Sequence, residues 1–140
     1  MNFNNSGVLD QGIHKMTWRE FYDSFSFSKR RKELLEGLEK VVAVLQKTEA
    51  THIYIDGSFV TNKLEPGDWD ACFDYSEERI FELETKYGYP LLNRRLQKSL
   101  YKGELFYAYW EADGYGNKYL EFFQQLKHST DKKGIIEIIL

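Results

Sequence analysis

Apolar residues recur along this chain with two periods, and the switches between them mark out its elements. In "TWREFYDSF", Thr17 and Glu20 stand at capping-box spacing, and the short helix that follows turns Trp18, Phe21, Tyr22 and Phe25 inward. Leu34, Leu35, Leu38, Val41, Val42 and Leu45 then form one continuous helical face, in a longer helix that Ser28 caps and that runs to about Gln46. After this the pattern shortens. "THIYIDG" reads as a buried strand ending at Gly57, "LEPGD" as a turn built on Pro66 and Gly67, and "WDACFD" as a second strand. "SEERIFELETKYGYP" has an N-cap at Ser76, acids in its first turn and a stop at Gly88 and Pro90, so it reads as a helix. "LLNRRLQKSLYKG" is a further helix, ending near Gly103. "ELFYAYWEA" is a third strand, "ADGYGN" a turn, and "YLEFFQQLKH" has too few periods to separate helix from strand. "KGIIEIIL" closes the chain as a strand paired with a sheet edge.

This order predicts an α/β or α+β fold, one mixed sheet packed with helices. No repeat or linker divides it, so residues 1–140 read as one domain, with the polar, Gly-containing residues 1–15 lying loosely on the surface. A hydrophobic share of 42% with only two prolines speaks against disorder. The net charge of −3, with both signs interspersed, provides no basic field for DNA. No apolar run is long enough to span a bilayer, and the N-terminus lacks the build of a signal peptide. The single cysteine, Cys72, falls in the core and fits a reducing, cytoplasmic setting. Its place two residues beyond Asp70 predicts a thiol with a raised pKa.

The chemistry concentrates between Gly57 and Asp70. Asp68 and Asp70 share one strand face, roughly 7 Å apart along the backbone, so their carboxylates repel unless something positive lies between or beside them. A metal ion, a neighbouring Lys or Arg, or water in a solvated turn after Pro66-Gly67 would each answer. The Gly57-Ser58 corner adds a second feature, because a glycine there lets a phosphate approach the backbone and Ser58 can donate to it. Two adjacent antiparallel strands would bring this corner and the acid pair to the same sheet end.

The stretch "GSFVTNKLEPGDWDA" resembles the signature of the DNA polymerase β-type nucleotidyltransferase superfamily. That resemblance implies a nucleotidyltransferase fold in which Gly57 and Ser58 bind the triphosphate of an NTP and Asp68 and Asp70 bind catalytic Mg²⁺. Lys63 is the nearby cation; Phe59, Val60 and Thr61 replace the small and basic residues usual after Gly-Ser. "TWREFYDSF", "IYIDGSFVT", "YKGELF", "YLEFFQ" and "KGIIEI" resemble a small uncharacterised bacterial family of nucleotidyltransferase-like proteins. The superfamily pattern includes a third carboxylate on another strand. If the "ELFYAYWEA" strand runs parallel to the Asp70 strand, Glu104 starts beside the acid pair and is the first choice; Glu111 and Asp113 are the fallbacks at the other end. The implied activity is Mg²⁺-dependent transfer of a nucleoside monophosphate from an NTP to a protein or RNA acceptor, in a toxin–antitoxin or phage-defence setting. The competing expectation is a catalytically silent nucleotidyltransferase-like module that binds a partner protein.

Other features have plainer readings. "KRRK", Lys29 to Lys32, lies at a helix start and reads as a solvated face or as pairing with Glu33 and Glu36, ahead of a phosphate-rich or acidic partner. Arg94, Arg95, Lys98 and Lys102 read as a solvated helix face, or as a source of one cation for a triphosphate if that helix flanks the site. Asp56 reads as structural. His14, His52 and His128 have no zinc spacing. The aromatic residues from Phe106 to Phe123 build the core and its rim, with Tyr107 and Tyr109 on the face opposite Phe106 and Trp110.

Overall fold

The computed structural model describes residues 3–125 and 131–140. In chain order its elements are β1 (Gly12–Met16), α1 (Trp18–Phe25), α2 (Lys29–Leu45), β2 (His52–Asp56), β3 (Trp69–Phe73), α3 (Leu83–Tyr87), α4 (Arg94–Tyr101), β4 (Gly103–Tyr107), α5 (Tyr119–Phe122) and β5 (Gly134–Ile139). The five strands form one mixed sheet in the order β1-β5-β2-β3-β4, so the fold is α+β. β2 lies antiparallel to both β3 and β5, whereas β4 is parallel to β3 and β1 is parallel to β5.

The helices start where local chemistry dictates. The Thr17 hydroxyl accepts from the Glu20 N–H while the Glu20 carboxylate accepts from the Thr17 N–H, closing the capping box of α1. The Ser28 hydroxyl accepts from the Arg31 N–H at the head of α2. Strand alternation then splits the apolar residues into two clusters. Ile53, Ile55, Trp69, Ala71, Phe73, Leu105, Tyr107, Ile136 and Ile138 pack with Phe21, Phe25, Leu34, Leu35 and Leu38 of the helices. Tyr54, Cys72 and Ile135 face the other way and are covered by Phe106, Tyr119, Leu120 and Phe123. Fully burying a side chain of this size contributes about 1.5–3 kcal/mol, so the larger cluster carries most of the stability.

Several sequence expectations are corrected. Residues 12–15 belong to edge strand β1, and Leu9 just before it is buried, although this segment read as loose. The short, half-polar "GIHKM" hides its strand character because its backbone pairs only with β5, a strand remote in sequence. For the same reason β5 is not at an edge but lies between β1 and β2. The "SEERIFELETKYGYP" helix forms only as a 3₁₀ turn at Ile80–Glu82 followed by α3. β4 stops at Tyr107 instead of running to Ala112: the Tyr119 N–H donates to Trp110 O and the Leu120 N–H to Ala108 O, so the chain doubles back. Alternation therefore fails past Tyr107, whose ring meets both Tyr109 and Trp110 edge-on at 5.5 and 5.4 Å. "YLEFFQQLKH" opens as the helix α5; its last residues, His128 included, lie outside the described residues.

Candidate metal and phosphate site

The site grows from the register of three neighbouring strands. Asp56 at the end of β2 pairs with Asp70 on β3, and Asp70 pairs with Glu104 on β4, so three acids stand in one row across the sheet end. The parallel pairing of β3 and β4 puts the start of β4 beside the start of β3, and with it Glu104 beside Asp68 and Asp70. One carboxylate oxygen from each of Asp68, Asp70 and Glu104 lies within 4.8 Å of the others, and all three residues are half-buried. Glu111 and Asp113 sit at the opposite end of β4 and are committed to the turn there: Glu111 accepts from the Gly116 N–H, and Asp113 from the Tyr115 and Asn117 N–H groups.

Close packing holds this arrangement. The Trp69 indole N–H donates to Tyr101 O at 2.8 Å, tying the end of α4 to the start of β3. A Cβ on Gly103 would meet the Trp69 ring at 2.1 Å, and one on Gly37 would meet Tyr101 O at 1.9 Å, so α2, α4 and β3 approach only where side chains are absent. Gly57 has φ +77°, and a Cβ there would stand 2.7 Å from Asp70 Oδ2. Both the left-handed turn and the nearby carboxylate require a glycine. Ser58 follows, half-buried, in the 3₁₀ turn Gly57–Val60.

The electrostatics are lopsided. Burial, then repulsion by Asp68, Asp56 and Glu104, pushes the Asp70 carboxyl up to about 7, with Lys98 pulling it down. Burial also raises Asp56 to about 6, against the Lys133 ammonium 3.1 Å away. Cys72 is fully buried, and burial followed by the charges of Asp56 and Asp74 raises its thiol well above its ordinary value. Three hard oxygen donors with an excess of negative charge, this close together, could hold a metal ion.

Of the cations the sequence suggested, Lys98 and Lys102 line the cleft beside Asp68 and Lys63 does not. Lys63 is exposed, and the cleft of about 310 Å³ beside Asp68 is lined instead by Arg30, Gly67, Lys98 and Lys102. The Lys98 ammonium lies 2.9 Å from Glu104. Arg30 pairs with Glu33, as its spacing suggested, and donates to Pro66 O and Gly67 O. Arg31 overturns the reading of "KRRK" as a solvated face, because it is fully buried. Its guanidinium donates to Phe59 O, Thr61 O and Lys63 O at 2.6–2.8 Å, and to Phe25 O at 3.4 Å. The rings of Phe27 and Phe59 lie under it at 4.1 and 4.8 Å, and burial lowers its pKa to about 10. Arg31 thus ties the loop after Gly57-Ser58 to α2. A signal for this existed: Arg31 falls three and four residues before Leu34 and Leu35, on the apolar face of α2.

The chain matches the model of a family described as "Family of unknown function (DUF6932)" over residues 1–139. No curated protein and no solved structure matches it.

Proposed function

We propose, for a chain that belongs to the DUF6932 family of unknown function, a divalent-metal centre for nucleotidyl transfer. The observation that carries the reading is the convergence of Asp68, Asp70 and Glu104 within 4.8 Å, beside the left-handed Gly57 turn. The three carboxylates would hold Mg²⁺. When bound, the ion would neutralise phosphate oxygens and ease ionisation of an acceptor hydroxyl. The chain's own groups do the rest. Gly57 leaves its backbone open to a phosphate, and the Ser58 hydroxyl donates to it. Glu104, on edge strand β4, takes the proton of an acceptor hydroxyl. The acceptor oxygen forms a bond to the α-phosphorus of an NTP as the bond to the β-phosphate bridge breaks and pyrophosphate leaves. A protein or RNA acceptor, in a toxin–antitoxin or phage-defence setting, is the context proposed for this chemistry.

One observation favours a second reading. Lys98 already neutralises Glu104, as it would in a silent module that binds a partner protein. Incubating purified protein with α-labelled NTPs, Mg²⁺ and cell lysate separates the two. Transfer is expected for the wild type, with a loss of several orders of magnitude and little change in NTP affinity for Glu104→Gln, the pattern of a group that acts mainly in the transition state. No labelling by the wild type with any NTP favours the silent module.

A further inference from the structure

Lys98 and any metal ion at the acid triad meet at the same carboxylate, that of Glu104. The ammonium lies 2.9 Å from Glu104 Oε1, and the charges of Asp68 and Asp70 act on it as well. In the cation-free protein it is therefore the counter-ion of the whole triad. A divalent ion bound to Glu104 would take up its charge and repel the ammonium, and the Lys98 side chain, more than half exposed, is free to swing into the adjoining cleft. That cleft is already cationic. Arg30 is anchored at one wall by Pro66 O and Gly67 O. Lys102 stands at the other, and its ammonium has no ion pair among the described residues.

The backbone at Lys102 is an independent sign. With φ +65° it is the one described non-glycine residue at positive φ, at the C-cap of α4, where glycine or asparagine fits more easily. A lysine kept in that conformation places a charge at the cleft against local preference, and such outliers gather at binding sites.

We propose that Lys98 is an exchangeable counter-ion: a divalent cation at Asp68, Asp70 and Glu104 displaces it, and it then joins Lys102 and Arg30 to bind the phosphate groups of a polyphosphate. This rests on the metal centre described above and adds to it a coupling between the two ligands. Each ligand strengthens the other by the same factor, since the free energy of coupling is reciprocal. It also explains how an acid triad stays folded without its ion.

Lys98→Met tests the exchange because its two expected effects have opposite signs. Removing the internal competitor should tighten the binding of Mn²⁺ alone, followed by electron paramagnetic resonance, by roughly five-fold or more. The same change should weaken the binding of inorganic pyrophosphate in the presence of Mg²⁺, followed by calorimetry, by a similar factor or more. Lys102→Gly should raise Tm, by relieving the left-handed backbone, and still weaken Mg²⁺-dependent pyrophosphate binding. Mn²⁺ binding that Asp70→Asn abolishes but Lys98→Met leaves unchanged or weaker overturns the exchange and leaves the metal centre standing. Mn²⁺ binding to neither wild type nor Lys98→Met overturns the metal centre, and the exchange with it. Pyrophosphate binding unaffected by either lysine variant overturns the anion subsite.

Discussion

Folding moves the titration of Asp70 up toward neutral pH. Burial comes first in raising its carboxyl to about 7, the charges of Asp68, Asp56 and Glu104 add to it, and Lys98 offsets part of the effect. An acid whose pKa is raised by folding binds its proton more tightly when folded. Its contribution is therefore fully present below the unfolded value near 4 and is lost as pH rises through about 7. Metal-free protein should thus lose stability between pH 4 and 7 through this group, and Asp70→Asn should flatten that slope. At pH 7.5 the variant should match the wild type or exceed it, by roughly 1–3 kcal/mol at most given the partial access of water and the Lys98 charge. Denaturant unfolding across pH checks this. An Asp70→Asn protein clearly less stable than wild type at neutral pH would make Asp70 a structural partner instead. At this scale the acids were legible, because a strand period of two and a Gly-Ser turn are local patterns. Lys98 was legible only as one of four cations on a helix, since its pairing with Glu104 depends on the left-handed turn at Lys102 that folds α4 back along β4.

Among the elements, the loop from Gly57 to Lys63 is tied to α2 through Arg31. Arg31 gathers carbonyls from Phe25, Phe59, Thr61 and Lys63, and no carboxylate is among these partners. Replacing it by Met removes all of these donors and leaves buried carbonyls unmatched, a loss of about 2–4 kcal/mol. Lysine retains the charge but not the planar fork, so Arg31→Lys should recover less than half of that loss. Thermal or denaturant unfolding of both variants measures it, and a fully stable Arg31→Met would show that the loop is held by other contacts. The four residues of "KRRK" are chemically alike, and only the apolar face of α2 tells Arg31 from its neighbours. The strands divide in the same way. β2 and β3 announce themselves through dense apolar runs and turn residues between them. β1 does not, because its partner β5 lies more than a hundred residues on, and β4 was read too long because nothing local marks the doubling back at Ala108.

For the molecule as a whole, the sheet order β1-β5-β2-β3-β4 brings the ends of β2, β3 and β4 to one margin, where α2 and α4 supply the cations. Among the described residues no helix is long and apolar enough to cross a membrane. The class of fold followed from the alternation of helical and strand patterns, whereas the strand directions did not: two helices separate β3 from β4, and their parallel pairing emerges only from the packed structure. That pairing is what makes three carboxylates one site. Its central test is the stability of the wild type and of Asp70→Asn with each NTP, with and without Mg²⁺. With Mg²⁺ present, an NTP at roughly 100 times its dissociation constant should stabilise the wild type by about 2.7 kcal/mol beyond any gain from Mg²⁺ alone, and Asp70→Asn should abolish that Mg²⁺-dependent gain. A wild type that no NTP stabilises, or a gain that is independent of Mg²⁺ and survives Asp70→Asn, would contradict it.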